Sequence, residues 1–405
     1  MTIVATILQQ MPGLGQPQHQ FLETLFATIL ALRGHVTFRN LSRYCDYSER
    51  TLARQFRAAF DGAQFHALLC WLFVTAAAAW MLVQDASFIH KSGKHTPGLG
   101  FFFNGCAGRA ERGLEITVLA LVKVTRNYAL TLHVAQTPPG SAAKKTAPES
   151  RLTFYAQQVL AVRTGLPAFV KYHVCAGAYA KRSYLDAVAT DHLHVITKVR
   201  SEADCSLLHT APRQPGQKGR SRKYDGKVSF QDLRRFTALG PLADEPHTEL
   251  YTALVWHHSL RRVLRLVVLV NRKDPDKVRY VVLTSTDVKL DAHTLLRYYQ
   301  ARFQIEFLFR AAKQFTGLQD GQARDAQALD FHFNAALATL NLVRAQELQA
   351  AAGAPCQVFS VARWKQRNFN ERLVEIIIRK LDLEPTWIKN HPRYEEIRTY
   401  GAIAT

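Results

Sequence analysis

At 405 residues and 48% hydrophobic content, the chain has room for two or three domains with a large core, and a mean hydropathy of −0.12 points to a soluble globular protein. Its net charge of +20 (pI near 9.9) favours a polyanionic partner, nucleic acid over a membrane surface because no long basic amphipathic helix with an aromatic face stands out. No apolar run reaches about 18 residues, so no transmembrane helix is expected, and Met1-Thr-Ile-Val-Ala-Thr-Ile-Leu lacks the basic start of a signal peptide. The six cysteines contain no CxxC pair, which argues against a zinc cluster or disulfide framework and for a reducing compartment.

Residues 1–75 read as helical. Phe21, Leu25, Phe26, Ile29 and Leu30 repeat with helical period, and the run from Asn40 to Phe56 has the form of a helix-turn-helix. Its turn falls near Asp46-Tyr47, Ser48 is the N-cap, and the second helix carries Arg50, Arg54 and Arg57. From Trp80 the pattern changes. Met81 to Phe88 reads as a short strand ending in the acid Asp85, followed by the basic stretch His90-Lys91-Ser-Gly-Lys94-His95. Further strands are expected at 101–103, 114–124 and 130–134, then a loop at 136–150. A helix at 151–164, a strand at 168–175, a helix at 181–189 and a strand from His194 follow, so a β-meander runs into alternating α and β and the sheet is mixed.

Residues 211–227 are basic and rich in Pro and Gly, a composition that orders on phosphate. Arg220, Arg222 and Lys223 would track phosphates there. Strands at 250–257, 262–271 and 278–284 would form a β-rich insertion, and 325–350 and 370–382 read as helices. The pattern that decides the reading is Tyr299-x2-Arg302-x3-Glu306-x6-Lys313. At about 100° per residue these four side chains fall within roughly 60° on one face of a continuous helix. A carboxylate there can bind a divalent cation, and the guanidinium and ammonium can bind phosphate.

With those spacings the chain resembles the cut-and-paste DDE transposases of bacterial insertion sequences, in the group marked by a Y-R-E-K signature. The resemblance covers roughly residues 80–325. It implies an RNase H-like fold whose β-rich insertion precedes the helix carrying the last acid. It implies three catalytic positions: Asp85, the place after the fourth sheet strand, and Glu306. Here the second place reads Val174-Cys175-Ala176-Gly177-Ala178-Tyr179, so Ala176 stands where the resemblance expects aspartate. Either the substitution was engineered to trap a complex, or the copy is decayed, or the segment is misaligned and Asp186 serves. The resemblance further implies two magnesium ions, replaceable by manganese, held by Asp85, Glu306 and the missing acid. Tyr299, Arg302 and Lys313 would contact the terminal DNA strand, and Trp256 would stack on a displaced base.

The reading is therefore an α/β protein with an RNase H-like mixed sheet at 76–200 and 285–345. A β-rich insertion with a basic loop spans 201–284, an N-terminal helix-turn-helix-like domain 1–75, and C-terminal helices 346–405. Its function would be a DNA transposase that binds terminal inverted repeats and catalyses metal-dependent strand cleavage and strand transfer (phosphodiester hydrolysis and transesterification), inactivated in this chain at Ala176. DNA contacts are assigned to Tyr299, Arg302, Lys313, Lys91, Lys94, Arg220, Arg222, Lys223, Trp256, Arg50 and Arg54. Its partners would be double-stranded DNA, as transposon ends and target, and a second copy in a synaptic complex. It would be cytoplasmic, associated with the nucleoid when bound to DNA. The rival readings are a non-catalytic DNA-binding repressor derived from a transposase, and a nuclease on the same fold.

Overall fold

The computed structural model describes residues 2–140, 147–209, 219–274, 276–350 and 359–403. Parts of the expected 136–150 loop and of the 211–227 basic segment lie outside the described residues. Five helices open the chain: α1 (Ile3–Leu8), α2 (Gln16–Ala31), α3 (Phe38–Leu41), α4 (Glu49–Gln55) and α5 (Gly62–Trp71). α3, α4 and α5 each start at a side-chain cap. Thr37 accepts from the Asn40 amide, Ser48 from Thr51 and Asp61 from Gln64, each satisfying an amide that has no partner within its helix.

The central region holds β1 (Trp80–His90), β2 (Gly100–Asn104), β3 (Arg109–Lys123), β4 (Tyr128–Gln136), α6 (Ala147–Arg163), β5 (Tyr172–Cys175), α7 (Arg182–Val188) and β6 (His194–Val199). β1, β3 and β4 are antiparallel neighbours, whereas β5 runs parallel to β1 and β6 parallel to β5. This is the RNase H-like arrangement, a meander followed by parallel strands joined through helices. Gly113 pairs with His90 on one side and Gly100 on the other, so β2 and β4 share the outer edge of β3. A Cβ at Gly113 would come within 2.5 Å of the Phe88 ring and 2.7 Å of the Ile89 carbonyl, which is why this strand position needs glycine.

The insertion contains β7 (Cys205–Leu208), β8 (Tyr224–Lys227), β9 (Thr237–Leu242), β10 (Glu245–His257), β11 (Arg262–Asn271) and β12 (Arg279–Ser285). β12 pairs with β6, so the insertion extends one continuous 12-stranded mixed sheet. β7, β8 and β9 were not expected from the sequence. They are short, and β9 reads Thr-Ala-Leu-Gly-Pro-Leu, where Gly and Pro mask any strand pattern. The chain ends in α8 (Ala292–Ala301), α9 (Gln304–Phe315), α10 (Ala326–Ala350), α11 (Val361–Lys380), α12 (Pro385–Lys389) and α13 (Tyr394–Arg398).

Period-two alternation sends one set of strand side chains to each face. Leu82, Leu119, Leu121 and Leu130 pack with Val159 of α6 and Leu185 of α7. Met81, Val83, Ile116 and Val118 pack with Leu295 of α8, Ile305 and Leu308 of α9, and Leu337 of α10. A third core joins Phe21, Phe26, Leu52, Phe56 and Phe65 of the N-terminal helices to Phe331, Ala335 and Leu342 of α10. α10 thus has one side against the sheet and the other against the N-terminal helices, which makes it buried nearly all round.

Candidate active site

Asp85 does not end its strand, contrary to expectation: β1 continues to His90 because β3 pairs with it over the full length, from Trp80 opposite Lys123 to His90 opposite Gly113. The parallel pairing on its other side is shorter and stops at Gln84 opposite Cys175. Asp85 and Ala176 are the next residues of the two strands, so they leave the ladder side by side. Their place is the crevice beyond the carboxyl end of a parallel pair, where open α/β sheets gather ligands. Ala176 is in extended conformation and partly buried, and its carbonyl accepts a 3.0 Å bond from Thr197 Oγ1 on β6.

A buried polar network lies beneath this point. Gln84 Nε2 donates to the Tyr155 carbonyl (3.0 Å) and to Gln158 Oε1 (3.1 Å), both on α6. Gln84 Oε1 accepts from the Tyr184 hydroxyl of α7, which lies 2.8 Å from His173 Nε2 on β5. These bonds tie β1, β5, α6 and α7 together directly below Asp85. Burial holds the His173 pKa at about 4, so the imidazole is neutral and one of its nitrogens can accept.

The expected single helix from Tyr299 to Lys313 is interrupted. α8 stops at Ala301 and α9 starts at Gln304, with Arg302 and Phe303 between them. Both stay in the right-handed helical region, but the bonds tighten to i→i−3: Phe303 N to Gln300 O, Ile305 N to Arg302 O and Glu306 N to Phe303 O. A 3₁₀ turn of this kind rotates the side chains on either side of it. It has a visible consequence at Arg302. Its guanidinium donates to Asp85 Oδ2 at 2.8 Å and to Glu306 Oε1 at 3.0 Å, with the Tyr299 ring centroid 5.6 Å away. The Arg302 side chain is only 14% exposed.

The electrostatics follow from that burial. Asp85 is pushed above the usual carboxylate range, chiefly by loss of water, although Arg302 and the Ala86 amide pull it down. Burial works against the Arg302 charge, but Asp85, Tyr299 and Glu306 outweigh it and its pKa rises. Burial raises the Tyr299 hydroxyl and lowers the Lys313 ammonium. Lys313 Nζ donates to the Phe88 carbonyl at 2.9 Å, which pins the second half of α9 to β1 three residues beyond Asp85.

The two acids, the guanidinium and Tyr299 are thus brought together, with Ala176 beside Asp85. Asp186 is elsewhere engaged, in ion pairs with Arg182 and Arg262. Lys91 and Lys94 line a cleft of about 740 Å³ at the far end of β1, together with Arg112 and Arg324, which the sequence reading did not single out. Arg112 lies in β3 and Arg324 before α10, so only folding places them near the Lys91 loop. Arg50 and Arg54 are exposed on α4. Arg220 and Lys223 are exposed, whereas Arg222 bonds the Tyr224 carbonyl and Asp225. Trp256 is half-buried on β10 with its ring 6.1 Å from that of Tyr224.

A two-ion carboxylate centre does not fit these residues as they stand. Asp85 and Glu306 share a guanidinium, the third donor position is an alanine, and among the described residues no group of three His, Cys, Asp or Glu side chains is placed to hold a metal. Among the described residues no helix is long and apolar enough to cross a membrane.

The chain matches the family described as DDE superfamily endonuclease over residues 11–261, a span that includes Asp85 and Ala176 and ends before Glu306. No curated protein matches it. Among solved structures it is similar to a piggyBac transposase synaptic complex with hairpin DNA, determined by cryo-electron microscopy, with a TM-score of 0.48 and 12% identity over 98% of this chain and 79% of that one. Endonucleases of this superfamily use divalent metal ions. The family match covers more than half of the sequence, and the chain belongs to the DDE superfamily of endonucleases.

Proposed function

We propose that the chain is a DNA transposase of the Y-R-E-K group from a bacterial insertion sequence, able to bind DNA ends but unable to cut them. The observation that carries this reading is the meeting of Asp85, Ala176, Arg302 and Glu306 at the end of the β1–β5 pair. Two acids from distant parts of the chain converge there, and the third position is the place of an alanine. In this reading the segment 1–75 reads terminal inverted repeats through Arg50, Arg54 and Arg57, which are exposed around α4. Lys91, Lys94, Arg220, Arg222 and Lys223 hold phosphates, and Trp256 stacks on a displaced base. Two copies pair two ends, and 346–405 supplies contacts between proteins.

Arg302 has two duties here. Without DNA it neutralises Asp85 and Glu306. A phosphate entering the crevice offers it a second anion, and the bidentate geometry of a guanidinium suits that exchange. Removing one carboxylate from the crevice lowers its repulsion toward phosphate, so DNA binding survives the alanine at 176. Magnesium, or manganese in its place, belongs to the intact three-acid site of this reading.

The test compares this chain with Ala176→Asp in a magnesium-dependent cleavage assay on DNA carrying the element's own ends. Cutting by the aspartate variant and binding alone by this chain supports the proposal. Cutting by this chain overturns the role given to Ala176. The alanine itself favours a second reading, a transposase-derived repressor, which predicts tight binding and no cleavage even with aspartate at 176. Cutting without joining of a 3′ end to target DNA would mark a nuclease on the same fold.

A further inference from the structure

The face of the sheet that carries Asp85 continues past it to an aromatic edge. Ile116 and Val118 of β3 face the α8–α10 layer, so by period two Arg112 faces the same way. Phe101 of β2 pairs with Arg112, and Phe103 follows two residues on. These two rings are 66% and 62% exposed on an edge strand, whereas Phe102 between them is fully buried under the Arg151 guanidinium, 4.7 Å from its centroid. Two large aromatics held open side by side on a rigid strand are a costly surface unless something covers them.

The neighbouring surface says what covers them. Arg112 Nη2 donates to the Gly93 carbonyl at 3.1 Å and so joins the hairpin to the loop that walls the 740 Å³ cleft. That cleft is lined by Lys91, Lys94, Arg112 and Arg324 with His90 and His95, and by no carboxylate. Glu111 of the hairpin is held by Asn104 and Arg109, and alternation turns it to the opposite face from Arg112. Burial lowers the Lys91 pKa, with Asp320 acting in the opposite direction, and Asp320 itself is bonded to His35 and to the Val36 amide. A cationic groove beside stacked-open aromatics is the pairing that binds single-stranded nucleic acid: phosphates in the groove, bases on the rings.

We propose that the Lys91–Arg324 cleft and the Phe101–Phe103 edge bind an unpaired DNA strand, separate from duplex held by the N-terminal helices. From Val118, opposite Asp85, to Arg112 is six residues of β3, about 20 Å at about 3.3 Å per residue. The platform therefore takes the strand several nucleotides from the bond that faces Asp85. This inference rests on the reading of the chain as a DNA-processing protein, and it does not require the chain to cut.

The experiment uses the full chain, fluorescein-labelled oligothymidine of about 12 nucleotides and a blunt duplex, read by fluorescence anisotropy. Phe101→Ala/Phe103→Ala is expected to weaken oligothymidine binding at least tenfold and to leave duplex binding unchanged. Lys94→Ala/Arg324→Ala is expected to weaken it and flatten its salt dependence. In a separate variant, Phe101→Trp, the indole fluorescence is expected to fall when oligothymidine is added. Absence of oligothymidine binding, equal binding by the double phenylalanine variant, or an unquenched indole overturns the proposal. So does oligothymidine binding that persists while the double variant abolishes self-association in sedimentation, which would assign the edge to a second copy. If Ala176→Asp fails to cut while these arms come out as expected, the transposase reading falls and the strand-binding site stands.

Discussion

Arg302 Nη1 lies 2.8 Å from Asp85 Oδ2, across 217 residues of sequence, and this contact joins the α8–α9 turn to the central strand. Asp85 is 21% exposed and already held above its usual range by burial, so its guanidinium partner is what keeps a charged carboxylate tolerable there. Arg302→Met is expected to lower stability by about 2–3 kcal/mol in denaturant unfolding, discounted for partial exposure. Asp85→Asn in the same background should recover part of that loss, because it removes the stranded charge. Two independent, additive losses would show that the contact does not couple the two residues.

Divalent ions should leave this chain's thermal midpoint almost unchanged, since the two acids are already neutralised and the third donor position is Ala176. Ala176→Asp adds a carboxylate next to Asp85, which lowers the midpoint without metal. Millimolar magnesium or manganese should then raise it, by selective binding to the folded state. A rise of equal size in both proteins would mean that the ions bind elsewhere.

Three buried histidines make the fold sensitive to acid. Burial holds His66 at about 3, and His173 and His332 at about 4, against an ordinary 6.5. Between those values the unfolded chain binds more protons, so stability is complete above pH 6.5 and falls as the pH drops from there toward 4. Each such histidine is worth on the order of 3 kcal/mol across the window. Circular dichroism melts between pH 7 and pH 4 should show the midpoint falling, with a shallower slope for His173→Gln. A flat profile would sink the assignment of neutral buried imidazoles.

Arg50, Arg54 and Arg57 are exposed and sit within and just after the short helix that Ser48 caps. If each meets a backbone phosphate, replacing all three by alanine should reduce the slope of log affinity against log salt by about 2–3 for duplex DNA. Titration at several salt concentrations reads this directly. An unchanged slope would move the duplex contact away from α4.

Much of the fold was legible because its signals are local. Period-two alternation and β-branched runs marked β1, β3, β6, β11 and β12, and Ser48 marked the start of α4. The Tyr299–Lys313 spacing marked the helical segment that carries the last acid, but not the break at Arg302–Phe303, where no Pro or Gly announces it. The short strands β7 to β9 carry too few residues to show a period; β7 and β9 exist because β10 offers them an edge, and β8 adds to the edge of β7.

The sequence by itself determined that Asp85, Ala176 and Glu306 stand in this order and spacing along the chain, since these are matters of residue identity. Only the tertiary structure decided that Arg302 bridges Asp85 and Glu306, that Ala176 emerges beside Asp85, that Arg112 and Arg324 meet the Lys91 loop, and that Phe101 pairs with Arg112. The reason is physical. Side-chain type and period are properties of a few neighbouring residues, whereas these contacts depend on strand register and helix packing, which are fixed only when the two sheet faces and α10 are buried together.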